Sequence, residues 1–272
     1  MSAPQTRLYV PGELGAGLTA ALEGGQAHYL RDVLRLAPGA AVALFNGRDG
    51  EWRGRIAELG KGRGTVVLEA RLREAEAEWP LALLFAPVKR ARIDFLVEKA
   101  TELGVTELYP VWTERTQVER LNLERLAANA IEAAEQTERL SVPTLHEPQK
   151  LRKLLRDWKA DRPLLLGDES GGAQPIGEAL AGFMPSEAGL ALLVGPEGGF
   201  ADSELDALRK LAFVTPVGLG PRVLRSDTAA LAALAVCQAL QGDWRRKRLR
   251  RAAADTTSSS ETPRTKIRQG MP

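Results

Sequence analysis

The sequence is short of residues that several kinds of chemistry require. Its 272 residues include one cysteine, Cys237, and two histidines, His28 and His146. A single cysteine excludes an internal disulfide framework and fits a reducing, cytoplasmic compartment. Cys237 lies in an Ala/Leu-rich helical pattern, where a thiol serves as a small core side chain rather than a nucleophile. The histidines sit in different regions without a nearby ligand cluster, so no metal site is expected. No apolar run approaches the ~18–20 residues that span a bilayer, so no membrane partner is expected. Met1 to Pro11 lacks the basic segment and apolar stretch of a secretory signal. A Gly-x-Ser-x-Gly elbow is also missing, which disfavours a serine hydrolase. Gly218-x-Gly220 lacks the third glycine of the dinucleotide fingerprint, and Gly167 to Gly172 lacks the Gly-Lys-Ser/Thr ending of a phosphate loop. Nicotinamide and ATP chemistry are thereby disfavoured.

What is present is an ordinary globular composition, 44% hydrophobic and 26% charged. The net charge of +2 conceals an asymmetry. Arg245 to Pro272 carries nine basic and two acidic residues, leaving 28 basic and 33 acidic residues in Met1 to Trp244. The last stretch opens with Arg245-Arg246-Lys247-Arg248-Leu249-Arg250-Arg251 and continues in Ala, Thr, Ser and Pro. It has too little apolar surface to fold and reads as a basic disordered tail over 245–272. Such a tail either adds counterion-release affinity for RNA or is a solvated extension; the composition supports both readings.

The body divides in two. Short strands are predicted over Arg7 to Val10, Ala41 to Phe45, Glu51 to Leu59 and Gly64 to Leu72, with one helix from Gln26 to Leu36. Asn46-Gly47-Arg48-Asp49-Gly50 and Gly60-Lys61-Gly62-Arg63-Gly64 have hairpin chemistry. This first region, residues 1–74, reads as a small β-barrel. Glu74 to Glu78 is a charged linker, and from Pro80 strand and helix patterns alternate up to residue 244. The strands are Leu81 to Ala86, Leu108 to Trp112, Leu164 to Leu166, Leu190 to Val194 and Val214 to Leu219. Helical stripes begin near Ile93, Leu123, Leu151, Asp202 and Asp227. Repeated βα units imply an α/β fold with a mostly parallel sheet. Ligands in such sheets bind at the carboxyl ends of the strands, which directs attention to Gly167, Gly195 and Gly220.

Two loops carry the strongest signal. In Val194-Gly195-Pro196-Glu197-Gly198-Gly199-Phe200, glycine permits backbone to approach a ligand closely, and Glu197 places a carboxylate mid-loop. Asp202 or Ser203 is expected to cap the next helix. The same glycines also suit a tight turn with Glu197 exposed. In Leu219-Gly220-Pro221-Arg222-Val223-Leu224-Arg225-Ser226-Asp227, two arginines precede a helix N-terminus, an arrangement suited to an anion. Ser226 or Asp227 is the expected cap; alternatively the arginines pair with Glu197 and hold the loops together. Lys89-Arg90-Ala91-Arg92 opens another helix, where cations oppose the dipole and only Asp94 offsets them locally. The cluster fits phosphates at that edge, or an exposed solvated patch.

Taken in order, these segments resemble one family. Arg7-Leu8-Tyr9-Val10, His28 to Leu36 with Pro38-Gly39, Lys89, Lys99-Ala100-Thr101-Glu102-Leu103-Gly104-Val105, Glu135-Gln136 with Arg139, Gly195 to Gly199 and Leu219 to Arg225 are similar to the motifs of the bacterial small-subunit ribosomal RNA uridine-N3 methyltransferases of the SPOUT class. The match runs almost to Gln241. Ser226-Asp227-Thr228 stands where the family usually has Thr-Glu-Thr, and Thr137-Glu138 and the basic tail also depart from its pattern.

The resemblance implies a PUA-like RNA-binding barrel over 1–74 and a trefoil-knotted methyltransferase domain over 80–244, assembled as a homodimer. Chain statistics alone argue against a knot. The implied activity is methylation of uridine N3 in 16S ribosomal RNA of the small subunit, with S-adenosylmethionine as cofactor. Leu166, Gly167, Gly195, Glu197, Gly198, Leu219, Gly220 and Leu224 are the expected cofactor contacts. Arg225 is the expected catalytic cation, with Glu197 as hydrogen-bond acceptor or base, or as a structural residue. Arg7, Arg31, Arg35, Lys89 and Arg90 are the expected phosphate contacts. Alternatives of other kinds are a methyltransferase acting on another ribosomal or transfer RNA position, and a noncatalytic RNA-binding assembly factor.

Overall fold

The computed structural model describes residues 4–183 and 187–246. The side chain of Arg90 and residues 247–272, most of the expected basic tail, lie outside the described residues.

The N-terminal strands form a five-stranded sheet in the order β1 (Arg7–Tyr9), β3 (Ala41–Phe45), β4 (Glu51–Gly60), β5 (Arg63–Arg73) and β2 (Thr19–Leu22). Both predicted hairpins are present, joining β3 to β4 and β4 to β5 in antiparallel register. Strand β2 escapes the sequence pattern because it has only four residues, of which Ala20 and Leu22 face the core. The helix predicted from Gln26 to Leu36 is instead α1 (Gly24–His28) followed by a wide π turn over Tyr29–Val33. Its start moves back because Gln26 Oε1 accepts from the Glu23 backbone at 3.0 Å, a reciprocal cap. Arg35, at φ 54°, ends the segment early.

The larger sheet is entirely parallel. It contains β6 (Leu81–Phe85), β7 (Glu107–Trp112), β8 (Thr144–Leu145), β9 (Gln149–Lys150), β10 (Leu164–Gly167), β11 (Gln174–Pro175), β12 (Leu190–Val194) and β13 (Val214–Gly218). Their order is β11-β13-β10-β12-β6-β7-β8, with β9 also on β7. The helices are α2 (Arg90–Glu102), α3 (Leu123–Gln136), α4 (Leu151–Arg156), α5 (Ile176–Ala181), α6 (Asp202–Arg209) and α7 (Ser226–Leu240). The apolar runs of the strands alternate between two cores. Leu81, Leu83 and Phe85 of β6 point to a cluster with Ile93, Leu96 and Val97 of α2 and Leu234 of α7. Ala82 and Leu84 point to the other face, with Leu151 and Leu154 of α4 and Leu208 of α6. A strand covered on both faces has no polar side, which is why its sequence does not alternate. Cys237 sits in the first cluster, fully buried, with its thiol pushed up to about 12 by that burial.

Helix α3 stops at Gln136, three residues short of the predicted Arg139. Thr137 Oγ1 turns back onto the Ala133 carbonyl at 2.6 Å, and Glu138 adopts φ 60°. The carbonyls freed at this end meet Arg7, which corrects the expectation of an RNA contact there. Arg7 is 7% exposed and reaches away from solvent. It donates to Glu51 Oε1 at 2.6 Å and to the carbonyls of Ala134, Glu135 and Arg139 at 3.0, 2.9 and 2.6 Å. Arg73 donates to the other Glu51 oxygen at 2.8 Å and to the Glu138 carbonyl at 2.8 Å. Two guanidinium groups from the small sheet thus cap a helix C-terminus of the large layer, where positive charge is favoured by the dipole. Glu135 completes the joint by accepting from the Tyr9 backbone at 2.9 Å. Burial pushes its carboxyl above the usual range despite that bond and the nearby Arg7 charge.

Among the described residues no helix is long and apolar enough to cross a membrane, and no group of three or more potential ligands is placed to hold a metal ion.

Candidate functional site

The carboxyl ends of β10, β12 and β13 open onto a cavity of about 730 Å³. Gly167, Gly195, Glu197, Leu219, Gly220, Leu224 and Arg225, named from sequence as cofactor-binding or catalytic, all line it. Leu166 and Gly198 do not: Leu166 is fully buried in the second core, and the Gly198 carbonyl accepts from Arg115 at 3.1 Å. Val194, Phe200 and Leu205 contribute apolar side chains to its lining. Pockets that take small organic ligands have this character and fall within about 300–1,000 Å³.

The loops are held by bonds that no local pattern announces. Ser226 does not cap α7; its hydroxyl donates to the Gly195 carbonyl at 2.7 Å, and Arg225 occupies the cap position without a side-chain bond. Asp202 and Ser203 do not cap α6 either. Ala201 stands at the cap, and Glu204 reaches back to accept from its backbone at 3.1 Å. Glu204 also accepts from the Glu114 backbone at 2.9 Å, tying the segment after β7 to α6. Gly195 is required by a close approach, since a Cβ there would lie 2.7 Å from the ring of buried Phe200. Gly220, at φ 95°, has the opposite surroundings: nothing lies within 4 Å of a Cβ built on it. Backbone at Gly220 is therefore open to the cavity. Gly195→Ala is expected to weaken ligand binding in the cavity at least tenfold, because Phe200 or the loop must shift, an overpacking cost of about 1–3 kcal/mol. Calorimetric titration with S-adenosylmethionine checks this, and unchanged affinity contradicts the packing argument.

Charge around the cavity is unevenly paired. Glu197 pairs with Arg92 of α2 at 2.7 Å rather than with Arg222 or Arg225. Asp94, expected to offset the cations of its own helix start, pairs with Arg125 of α3 at 3.1 Å. Arg222 and Arg225 are exposed at the rim, and neither forms an ion pair among the described residues. Their loop is held outward, with Val223 79% exposed. Asp168, which sequence reasoning passed over, also lines the cavity. Burial acts to raise its carboxyl, but Arg209 at 2.6 Å and hydrogen bonds from Ser170 outweigh it and hold it below the usual range.

Of the remaining expected RNA contacts, Arg31, Arg35 and Lys89 are not among the residues lining this cavity. Arg31 makes a two-pronged pair with Asp32 at 2.9 and 2.7 Å, Arg35 is exposed on the small sheet's connecting segment, and Lys89 is exposed at the start of α2. His28 pairs with Asp32, and His146 stacks on Tyr109 with ring centroids 3.8 Å apart.

Comparison with known proteins gives consistent matches. A family model described as an RNA methyltransferase domain matches residues 75–238, and one described as an RNA methyltransferase PUA domain matches 22–69. A ribosomal RNA small subunit methyltransferase E from Rickettsia conorii is 33% identical over 208 residues, 76% of this chain and 84% of the relative. The crystal structure of a ribosomal RNA small subunit methyltransferase E from Neisseria gonorrhoeae bound to S-adenosylmethionine is 29% identical, with a TM-score of 0.78 over 88% of this chain and 99% of that one. A methyltransferase from Legionella pneumophila, also solved with its bound cofactor, is 32% identical, with a TM-score of 0.75 over 89% of this chain and all of that one.

Proposed function

We propose, from the premise that this chain belongs to the RNA methyltransferase family whose domain model spans residues 75–238, that it transfers a methyl group from S-adenosylmethionine to N3 of a uridine in 16S RNA of the small ribosomal subunit. The observation that carries the reading is the cavity itself. It is cofactor-sized, partly apolar, edged by glycine backbone and rimmed by two arginines that form no ion pair among the described residues. Relatives of this length and fold carry the name of a small-subunit ribosomal RNA methyltransferase, and two of the solved ones hold S-adenosylmethionine.

The residues present fit that cofactor. Gly220 leaves backbone open to the cavity, and Val194, Phe200 and Leu205 offer an apolar surface suited to an adenine ring. Backbone groups of Gly167, Gly195, Leu219, Gly220 and Leu224, all lining the cavity, would hold it. When bound, the cofactor supplies an electrophilic methyl group on a sulfonium centre. The chain's own task is to position the uridine in line with that methyl. Uridine N3 becomes nucleophilic only on losing its proton, and Arg225 stabilises the charge that then spreads onto the base oxygens. Glu197, kept in place by Arg92, takes that proton onto its carboxylate as the N3–H bond breaks, which leaves the electron pair on N3 facing the methyl group. The base has to leave any stack to reach this site, which costs a few kcal/mol unless it is already unpaired.

The domain limits of 1–74 and 80–244 belong to the same proposal, with a PUA-like barrel in the first and a trefoil knot in the second. The strand order supports the knot: β12 lies between β6 and β10, both of which precede it in the chain. A homodimer is supported by the small residues of α7 and by Leu240 and Trp244, which are 43% and 53% exposed. Arg31, Arg35 and Lys89 are phosphate contacts in this reading. Tritium-labelled S-adenosylmethionine incubated with small subunits lacking their native methylation tests the function. Label in the RNA supports it; a folded, cofactor-binding chain that labels no RNA points to a binding factor.

A further inference from the structure

A second concave surface lies across α6 from the cofactor cavity. Leu205 lines the cavity, whereas Leu208 and Leu211, from the same helix and its continuation, floor a groove of about 620 Å³. Trp112 closes one end of it, at the carboxyl end of β7, the same edge of the sheet as the cavity. The rim carries Lys150 of β9 and Arg152 and Arg156 of α4, all exposed and none in an ion pair among the described residues. Arg152 and Arg156 are one helical turn apart and share a face. Two acids, Glu114 and Glu204, also line the same groove, but among the described residues neither forms an ion pair with these three cations, and Glu204 is turned to the backbone of Glu114 and Ala201. Among the described residues the half-buried indole of Trp112 makes no hydrogen bond, and it lines the groove.

We infer that this groove seats an unpaired nucleotide of the substrate RNA next to the target uridine, an inference that rests on the proposed function. An aromatic ring and an apolar floor take a base by its π face, and a row of unpaired cations takes the phosphates on either side. Sequence-tolerant binding of single strands uses this combination. The two sites are physically joined, because Arg115, three residues beyond Trp112, donates to the Gly198 carbonyl in the cavity's glycine loop at 3.1 Å. A strand that delivers one base to the cavity passes the groove within the same sheet edge.

The test uses the full-length chain, small ribosomal subunits for turnover and a single-stranded oligouridylate as binding probe. Arg152→Glu with Arg156→Glu is expected to raise KM for the subunit at least tenfold. The same pair is expected to reduce the slope of log affinity against log salt for the oligouridylate by about 1.4, two phosphate contacts' worth on a single strand. Trp112→Leu is expected to weaken the oligouridylate about tenfold without changing that slope. S-adenosylmethionine affinity, measured alongside, stays at the wild-type value and shows that each variant is folded. An active wild type whose variants keep the parental KM and salt slope overturns the groove alone. Unchanged kinetics with a shift in sedimentation coefficient also overturns it and marks the surface as a contact between copies. A wild type that neither labels nor binds RNA overturns the proposed function along with it.

Discussion

Arg225→Ala is expected to lower methyl transfer by about 10²–10³-fold while S-adenosylmethionine affinity stays within about threefold. The asymmetry follows from where the residue stands. Its backbone begins α7 directly after the cavity loop, while its side chain is exposed at the rim and pairs with no acid among the described residues. Nothing in the fold depends on its charge, so removal costs little stability. What it supplies is positive charge at the point where the ionised uridine would place negative charge, in a cleft partly shielded from water. Single-turnover rates with cofactor and subunits both saturating separate this from a binding defect. Arg225→Lys is expected to recover only part of the rate, since an ammonium point charge does not reproduce the planar donor fork. If the alanine variant loses cofactor affinity and rate in equal measure, Arg225 holds the cofactor and the catalytic assignment fails.

Arg7→Ala is expected to lower the unfolding free energy by about 3–5 kcal/mol, read as a shift in urea midpoint. Native domains have only about 5–15 kcal/mol in total, so this is a severe loss. Glu51 is 0% exposed, and Arg7 supplies one of the two guanidinium groups that neutralise it. Removing Arg7 also takes its guanidinium bonds from the carbonyls of Ala134, Glu135 and Arg139, of which Ala134 keeps the Arg139 backbone N–H as a donor. The joint between the small sheet and α3 would loosen with it. Had Arg7 been a phosphate contact, its loss would instead flatten the salt dependence of RNA binding and leave the midpoint alone. A midpoint shift equivalent to less than about 1 kcal/mol, the worth of a surface pair, contradicts the burial argument.

The sequence is most readable where a rule is local. The stripe Ile93, Leu96, Val97, Ala100 and Leu103 predicts α2; the first four are buried and Leu103, at the C-terminal cap, is half-buried against the same core. The apolar runs at Leu81 and Leu190 predict strands covered on both sides, and the two cores receive their alternate residues. The glycine loops after β10, β12 and β13 are found around one cavity because a parallel sheet brings its carboxyl ends together. Partners distant in sequence are another matter. Arg7 resembles any strand-opening cation until Glu51 and the end of α3 are placed beside it, and Glu197 finds Arg92 across 105 positions. Ser226 has the composition of a helix cap, yet tertiary contact gives its hydroxyl to Gly195 instead. Helix α5, six residues after Pro175, is too short for a period to register. The Trp112 groove is assembled from three separated segments, with no motif in any of them.

The central claim is the chemical identity of the product. Small subunits lacking their native methylation, treated with this chain and S-adenosylmethionine, should yield 3-methyluridine when their 16S RNA is digested to nucleosides and resolved by mass spectrometry. That nucleoside should be absent from the same reaction with Arg225→Ala. A methyl group found on any other base or on a ribose would leave the cavity and its cofactor in place and contradict the assignment of uridine N3.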